Sequence, residues 1–146
     1  MTSKVSNYQS RYESLILSSQ EDFLDGKDRI VEIVFLTNTI FNDPRARQLG
    51  LPITQVFEIQ PKAIFTTKSS TGDVDFGILE LSTKAAGLVD IGILHAHAKI
   101  VDAKYAVLIC EKSFSKELSY LLTDPKIGPR LLNYGVGKTI KFLDSR

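Results

Sequence analysis

The chain holds two histidines, His95 and His97, one residue apart, with Lys99 two positions on and Asp102 three beyond that. Imidazole titrates near neutral pH, so each ring can serve as nucleophile, general base, general acid or metal ligand. A lysine ammonium neutralises charge that develops on phosphoryl oxygens. A carboxylate orients an imidazole through its second nitrogen. In an extended chain alternate side chains share a face. Val89, Ile91, Ile93, His95, His97, Lys99 and Val101 then form one row, compact enough for proton transfer, nucleophilic attack or metal binding. A zinc reading uses His95 and His97 with Asp102 or a group from a partner chain. A lone histidine on an apolar strand is by default a hydrogen-bonded core residue. The paired spacing followed by lysine weakens that default.

The row needs elements to hold it. Apolar runs flank it, Leu88 to Leu94 before and Tyr105 to Ile109 after, and both read as strands. Residues 5–25 carry apolar positions three and four apart and read as helix, stopped at Gly26. The β-branched run from Arg29 to Thr37 reads as a buried strand. Asn42-Asp43-Pro44 is turn chemistry, with one helical turn from Arg45 to Leu49 closed by Gly50. Ile53 to Gln60 reads as a strand or sheet edge ended by Pro61, and Ala63 to Thr67 as another short strand. Lys68 to Asp73 is loop, and Asp75 to Ala86 reads as a helix with Gly87 beyond its end. Ser113 to Leu122 reads as helix capped by Ser113 or Ser115. Asp124-Pro125 and Gly128-Pro129 are breaks, Arg130 to Tyr134 is one helical turn, and Val136 to Leu143 is a last strand. The expected architecture is α/β: one domain over residues 1–146, with an N-terminal helical segment over 1–26. A mixed sheet of about five or six strands is flanked by helices. Leu88 to Leu94, apolar on both faces, is expected at its centre.

Bulk properties narrow the function. The chain has 146 residues, 43% of them hydrophobic, which suits one domain with a real core. A formal net charge of +1 gives no global attraction to nucleic acid or membrane. One cysteine, Cys110, excludes an intramolecular disulfide framework and reads as a buried thiol. The polar start lacks a signal-peptide core, and no run matches a membrane span, so a cytoplasmic protein is expected. Gly135-Val-Gly-Lys-Thr139 lacks the first glycine of a phosphate-binding loop, since position 132 is leucine. Asp73, Asp75 and Glu80 with Lys84 are a loose acidic set of the kind metal-dependent nucleases use. Helix capping is the stronger reading for the aspartates. Arg45, Arg47, Lys62 and Lys68 are candidate phosphate contacts set against ordinary surface charge.

The stretch Leu94-His-Ala-His-Ala-Lys-Ile-Val-Asp-Ala-Lys-Tyr-Ala-Val-Leu-Ile resembles the phospholipase D superfamily, whose motif is His-x-Lys-x4-Asp. The likeness runs from about Ile78 to Phe142, and Asn133-Tyr-Gly-Val is similar to the family's later strand entry. Two registers match in part: His95 as the motif histidine with Asp102 as its aspartate and His97 at the lysine position, or His97 as the histidine with Lys99 as its lysine and Lys104 at the aspartate position. The resemblance implies a phospholipase D-like half and a metal-independent phosphodiesterase or nuclease without cofactor. One histidine would attack phosphorus and a second would protonate the leaving oxygen. It implies His95, His97, Lys99 and Asp102 as the catalytic set. One motif in a half-length chain implies a homodimer with a shared site. The expected partners are a second copy of the chain and nucleic acid or another phosphodiester. The alternatives are a non-catalytic α/β binding or interaction module and a His-based metal site.

Overall fold

The structure is a computed structural model and describes residues 2–51 and 59–145. Its frame is a mixed sheet of six strands among the described residues, in the order β1-β2-β3-β4-β6-β5. β1 (Arg29–Phe35), β2 (Ala63–Lys68) and β3 (Val74–Ser82) form an antiparallel meander. β4 (Tyr105–Cys110) runs parallel to β3, and β6 (Lys138–Asp144) runs parallel to β4. β5 (Asn133–Gly135) closes the far edge as an antiparallel hairpin with β6.

β-Branched and aromatic residues fill these strands, and their period of two divides the core into two layers. Val34, Ile64, Ile78, Ala106, Leu108 and Ile140 point to one face. There they meet α3 (Pro44–Gln48), α4 (Leu88–Val101), α5 (Lys116–Thr123) and α6 (Ile127–Leu132). Phe35, Ala63, Phe65, Leu79, Val107 and Leu143 point to the other face, under Tyr12, Ile16 and Phe23 of α1 (Thr2–Ser18) and α2 (Gln20–Phe23). The N-terminal segment is thus a helical cover for one sheet face. A buried polar tie fixes its exit: the Asp28 carboxylate accepts from Lys104 Nζ at 2.9 Å and from the Tyr105 hydroxyl.

Two elements differ from the sequence expectation. Leu88 to Leu94 is not a strand but the first half of α4, which continues to Val101. The buried positions are Ile91, Leu94, Ala98 and Val101, a helical period that an apolar run hides. The Asp90 carboxylate accepts from the Gly87 N–H at 2.8 Å, which fixes the start of the helix. The centre of the sheet is instead shared by β3 and β4, and every residue of β4 is buried. The second difference is Asp75 to Ala86, read as helix, of which residues 75–82 belong to the long strand β3. Gly77 explains the choice: a Cβ there would lie 2.2 Å from Cζ of Phe65, its cross-strand partner. The ring fills the space a side chain would take.

Smaller points follow the same logic. Gly128-Pro129 does not break the chain but opens α6, because Pro129 sits in the first turn, where its missing N–H is not needed. Asp43 caps α3 by accepting from Arg45 N at 2.9 Å, and Ser115 caps α5 by accepting from Leu118 N at 3.1 Å. Of the strand expected from Ile53 to Gln60, residues 53–58 lie outside the described residues. Ile59 and Gln60 are not in a strand.

Candidate functional site

On a helix, residues two apart point about 200° from each other, so α4 sends His95 and His97 to opposite flanks. His95 faces β5 and α6. Its Nε2 lies 2.8 Å from the backbone oxygen of Asn133, which can only accept, so Nε2 carries the proton. The ring meets Tyr134 edge-on, with centroids 6.4 Å apart. It borders a shallow groove of about 260 Å³ with Leu88, Gly92 and Arg130. Lys99, one turn further on, shares the His95 flank and is exposed. Asp102 ends α4 in the left-handed region at φ 54° and pairs with Lys138. His97 stands apart on the other flank. The row expected from an extended chain is therefore not assembled: His95 and Lys99 share a flank and His97 turns away, while Asp102 caps the helix.

The other sequence candidates also disperse. Gly135 to Thr139 is the β5–β6 hairpin, turning at Val136 and Gly137. Asp73 stays in the β2–β3 turn, where its N–H donates to Ser69 Oγ at 3.0 Å. Asp75 lies 3.5 Å from Lys104 Nζ. Glu80 is five residues further along β3, about 17 Å away in an extended strand. Cys110 is buried at the end of β4. Among the described residues no three His, Cys, Asp or Glu side chains form a group that could hold a metal ion.

What does converge is a different set. β2 and β3 pair Ala63 with Leu79, so the next pair outward is Lys62 and Glu80. Glu80 points to the α4 face, near the carboxyl end of β3. His97 comes down from α4 with Nδ1 3.9 Å from Glu80 Oε2, too far for a hydrogen bond. That Nδ1 is buried and has no hydrogen-bond partner among the described residues. Burial pushes the Glu80 carboxyl up to about 7, against the opposing pull of the Lys62 N–H and ammonium. The Asp90 charge adds to the rise. Burial also lowers the His97 imidazole below 6.5. Glu80 and Lys62 open onto a pocket of about 360 Å³, completed by Leu36, Gln60, Pro61 and Thr83. It lies at the carboxyl end of β3, the end at which open α/β sheets ordinarily bind ligands. A third concavity, about 240 Å³ between Phe114 and Phe142, is lined by Lys112, Ser113, Ser119 and Asp144.

Of this set, Glu80 and His97 carry sequence signals. Glu80 is the one charge inside the apolar run Phe76 to Leu81. Lys62 was one of four scattered candidate phosphate contacts and Thr83 carries no signal, because only the β2–β3 pairing and the chain's exit from β3 bring them together.

Comparison of the chain with protein-family models, with curated proteins and with solved structures gave no match.

Proposed function

We propose that this chain is an α/β binding module for an anionic, phosphate-bearing ligand, held in the pocket of Lys62, Glu80 and Thr83. The observation that carries the reading is the meeting of Lys62 and Glu80 from paired strands at an open pocket, while His95 and His97 diverge on α4. The donors suit a phosphoryl group. Lys62 supplies an ammonium, Thr83 a hydroxyl and Gln60 an amide. A carboxyl titrating near neutrality is also a donor while protonated. Once ionised, Glu80 repels an anion, so the pocket favours its ligand below about pH 7.

The test is calorimetric titration with inorganic phosphate and with a dinucleotide, in EDTA, at about pH 6 and about pH 8. Binding that weakens at the higher pH and is lost in Lys62→Ala supports the reading. Equal binding by wild type and Lys62→Ala removes it. A parallel assay on a generic phosphodiester and on single- and double-stranded DNA separates binding from catalysis. Metal-free turnover that disappears in His95→Ala or His97→Ala replaces the binding module with the shared-site hydrolase. No turnover is expected, because His95 and His97 of one chain face opposite flanks of α4 and the two imidazoles of that mechanism do not meet in one cleft.

A further inference from the structure

We infer that the concavity between Phe114 and Phe142 is a binding site for a free α-amino acid with an apolar side chain, of the leucine or phenylalanine kind. β4 and β6 run parallel with Cys110 level with Asp144, and the concavity lies at their carboxyl ends. That is the end at which open α/β sheets ordinarily hold small ligands. Its walls are preformed. The Phe114 and Phe142 rings meet edge-on with centroids 4.9 Å apart, and both are only partly buried. The segment after β4 is fastened at its two ends. The Glu111 N–H donates to the Ser82 oxygen at 3.0 Å, and the Ser115 N–H donates to the Ala86 oxygen at 2.8 Å. On the β6 side the Ser145 N–H donates to the Cys110 oxygen at 2.9 Å. Ring surface left open in a fixed concavity favours an apolar occupant.

The rim decides which apolar occupant. Lys112, on the segment leaving β4, and Asp144, at the end of β6, bring opposite charges to it, and both are exposed. An anion alone is opposed by the Asp144 carboxylate, and a cation alone by the Lys112 ammonium. A zwitterion satisfies both. The Lys112 ammonium pairs with the ligand's carboxylate, with the Ser113 and Ser119 hydroxyls as further donors. The Asp144 carboxylate accepts from the ligand's ammonium. Size selects the side chain. The volume of about 240 Å³ equals that of about eight water molecules. That is room for an isobutyl or benzyl group against the two rings, with the α-carbon at the rim. It is too little for a dinucleotide. The short side chain of Ser119 keeps the α5 wall of the concavity open.

NMR titration of the isotope-labelled full chain with L-leucine and L-phenylalanine at neutral pH tests this. Saturable shifts are expected, confined to the amides of residues 110–119 and 142–144, with dissociation constants on the order of 1 mM. Phenylpropionate lacks the ammonium and phenethylamine lacks the carboxylate, so each should bind roughly tenfold more weakly than phenylalanine. Lys112→Gln and Asp144→Asn should each weaken leucine binding roughly tenfold, with unchanged thermal midpoints because both side chains are exposed. Ser119→Leu, also at an exposed position, should abolish binding by filling the concavity. The inference is overturned if neither amino acid gives a saturable shift, or if the shifts centre on Lys62 and Glu80 instead. Phenylpropionate binding as tightly as phenylalanine also overturns it, as does wild-type affinity in the three variants.

Discussion

Glu80 is a carboxylic acid in an environment that opposes its charge. Its carboxyl is raised from 4.5 to about 7 by burial. The folded protein therefore holds that proton more tightly than the unfolded chain. The stabilisation this gives is complete below about pH 4.5 and is lost as pH rises through 7. A rise of this size corresponds to roughly 3 kcal/mol, and partial exposure of the side chain reduces it to ~1–2 kcal/mol. Glu80→Gln should therefore be more stable than wild type by that amount at about pH 8 and equal to it at about pH 4. Urea midpoints of both proteins across the range measure the difference, and parallel curves would contradict the burial of the charge. The same substitution should flatten the pH dependence of phosphate affinity. His97 acts in the opposite sense: its imidazole is lowered by burial, so its contribution is present above 6.5 and declines as the ring protonates. Comparing the two proteins pH by pH removes that background.

At the scale of elements, two glycines that look alike in sequence make opposite predictions. Gly92 lies in the middle of α4, and a Cβ there meets nothing within 4 Å. Gly92→Ala removes backbone freedom from the unfolded chain and should stabilise by about 0.5–1 kcal/mol, seen as a higher thermal midpoint. Gly77 in β3 is occupied by the Phe65 ring, and a Cβ would sit 2.2 Å from its Cζ. Gly77→Ala should destabilise by roughly 1–3 kcal/mol through overpacking. Phe65→Leu combined with it should recover part of that loss, and a double-mutant cycle measures the coupling. Additive effects would mean that the ring and the glycine do not share space.

For the whole molecule, Asp28 is one of the polar ties between the end of the N-terminal cover and the sheet. Its carboxyl is held below 3.8, first by the hydrogen bond from Lys104 and then by that from Tyr105. These partners lie 76 and 77 positions away in sequence, so the bonds exist only when the layers have assembled. A carboxylate lowered by folding contributes stability above its unfolded value, and that stability is lost as pH falls through the folded one. Asp28→Ala leaves the Lys104 ammonium without this partner and should cost about 1–3 kcal/mol at neutral pH. The deficit should shrink as pH is lowered from neutral to below 3.8, as the wild-type carboxyl takes up its proton and loses the same interaction. Chemical denaturation at the two pH values reads it. A deficit that stayed constant would point to packing rather than charge.

The sequence by itself determined the elements whose signal is local. β1, β2, β4 and β6 are short β-branched runs. α1 and α5 carry helical stripes, and Asp43, Ser115, Gly26 and Gly50 mark ends by capping or turning. The α/β class followed from these, as did the sheet with helices on its faces. Tertiary structure decided the rest, because the remaining signals are ambiguous over short windows. An apolar run such as Leu88 to Leu94 satisfies a buried strand and a buried helix equally. Only the face on which Ile91, Leu94, Ala98 and Val101 meet the sheet selects the helix. β3 looked helical until Phe65 required a glycine opposite it. The consequence for function is direct: a change of period from two to 3.6 separates His95 from His97. The pairing of β2 with β3 brings Lys62 beside Glu80, from positions whose spacing in sequence carries no such information.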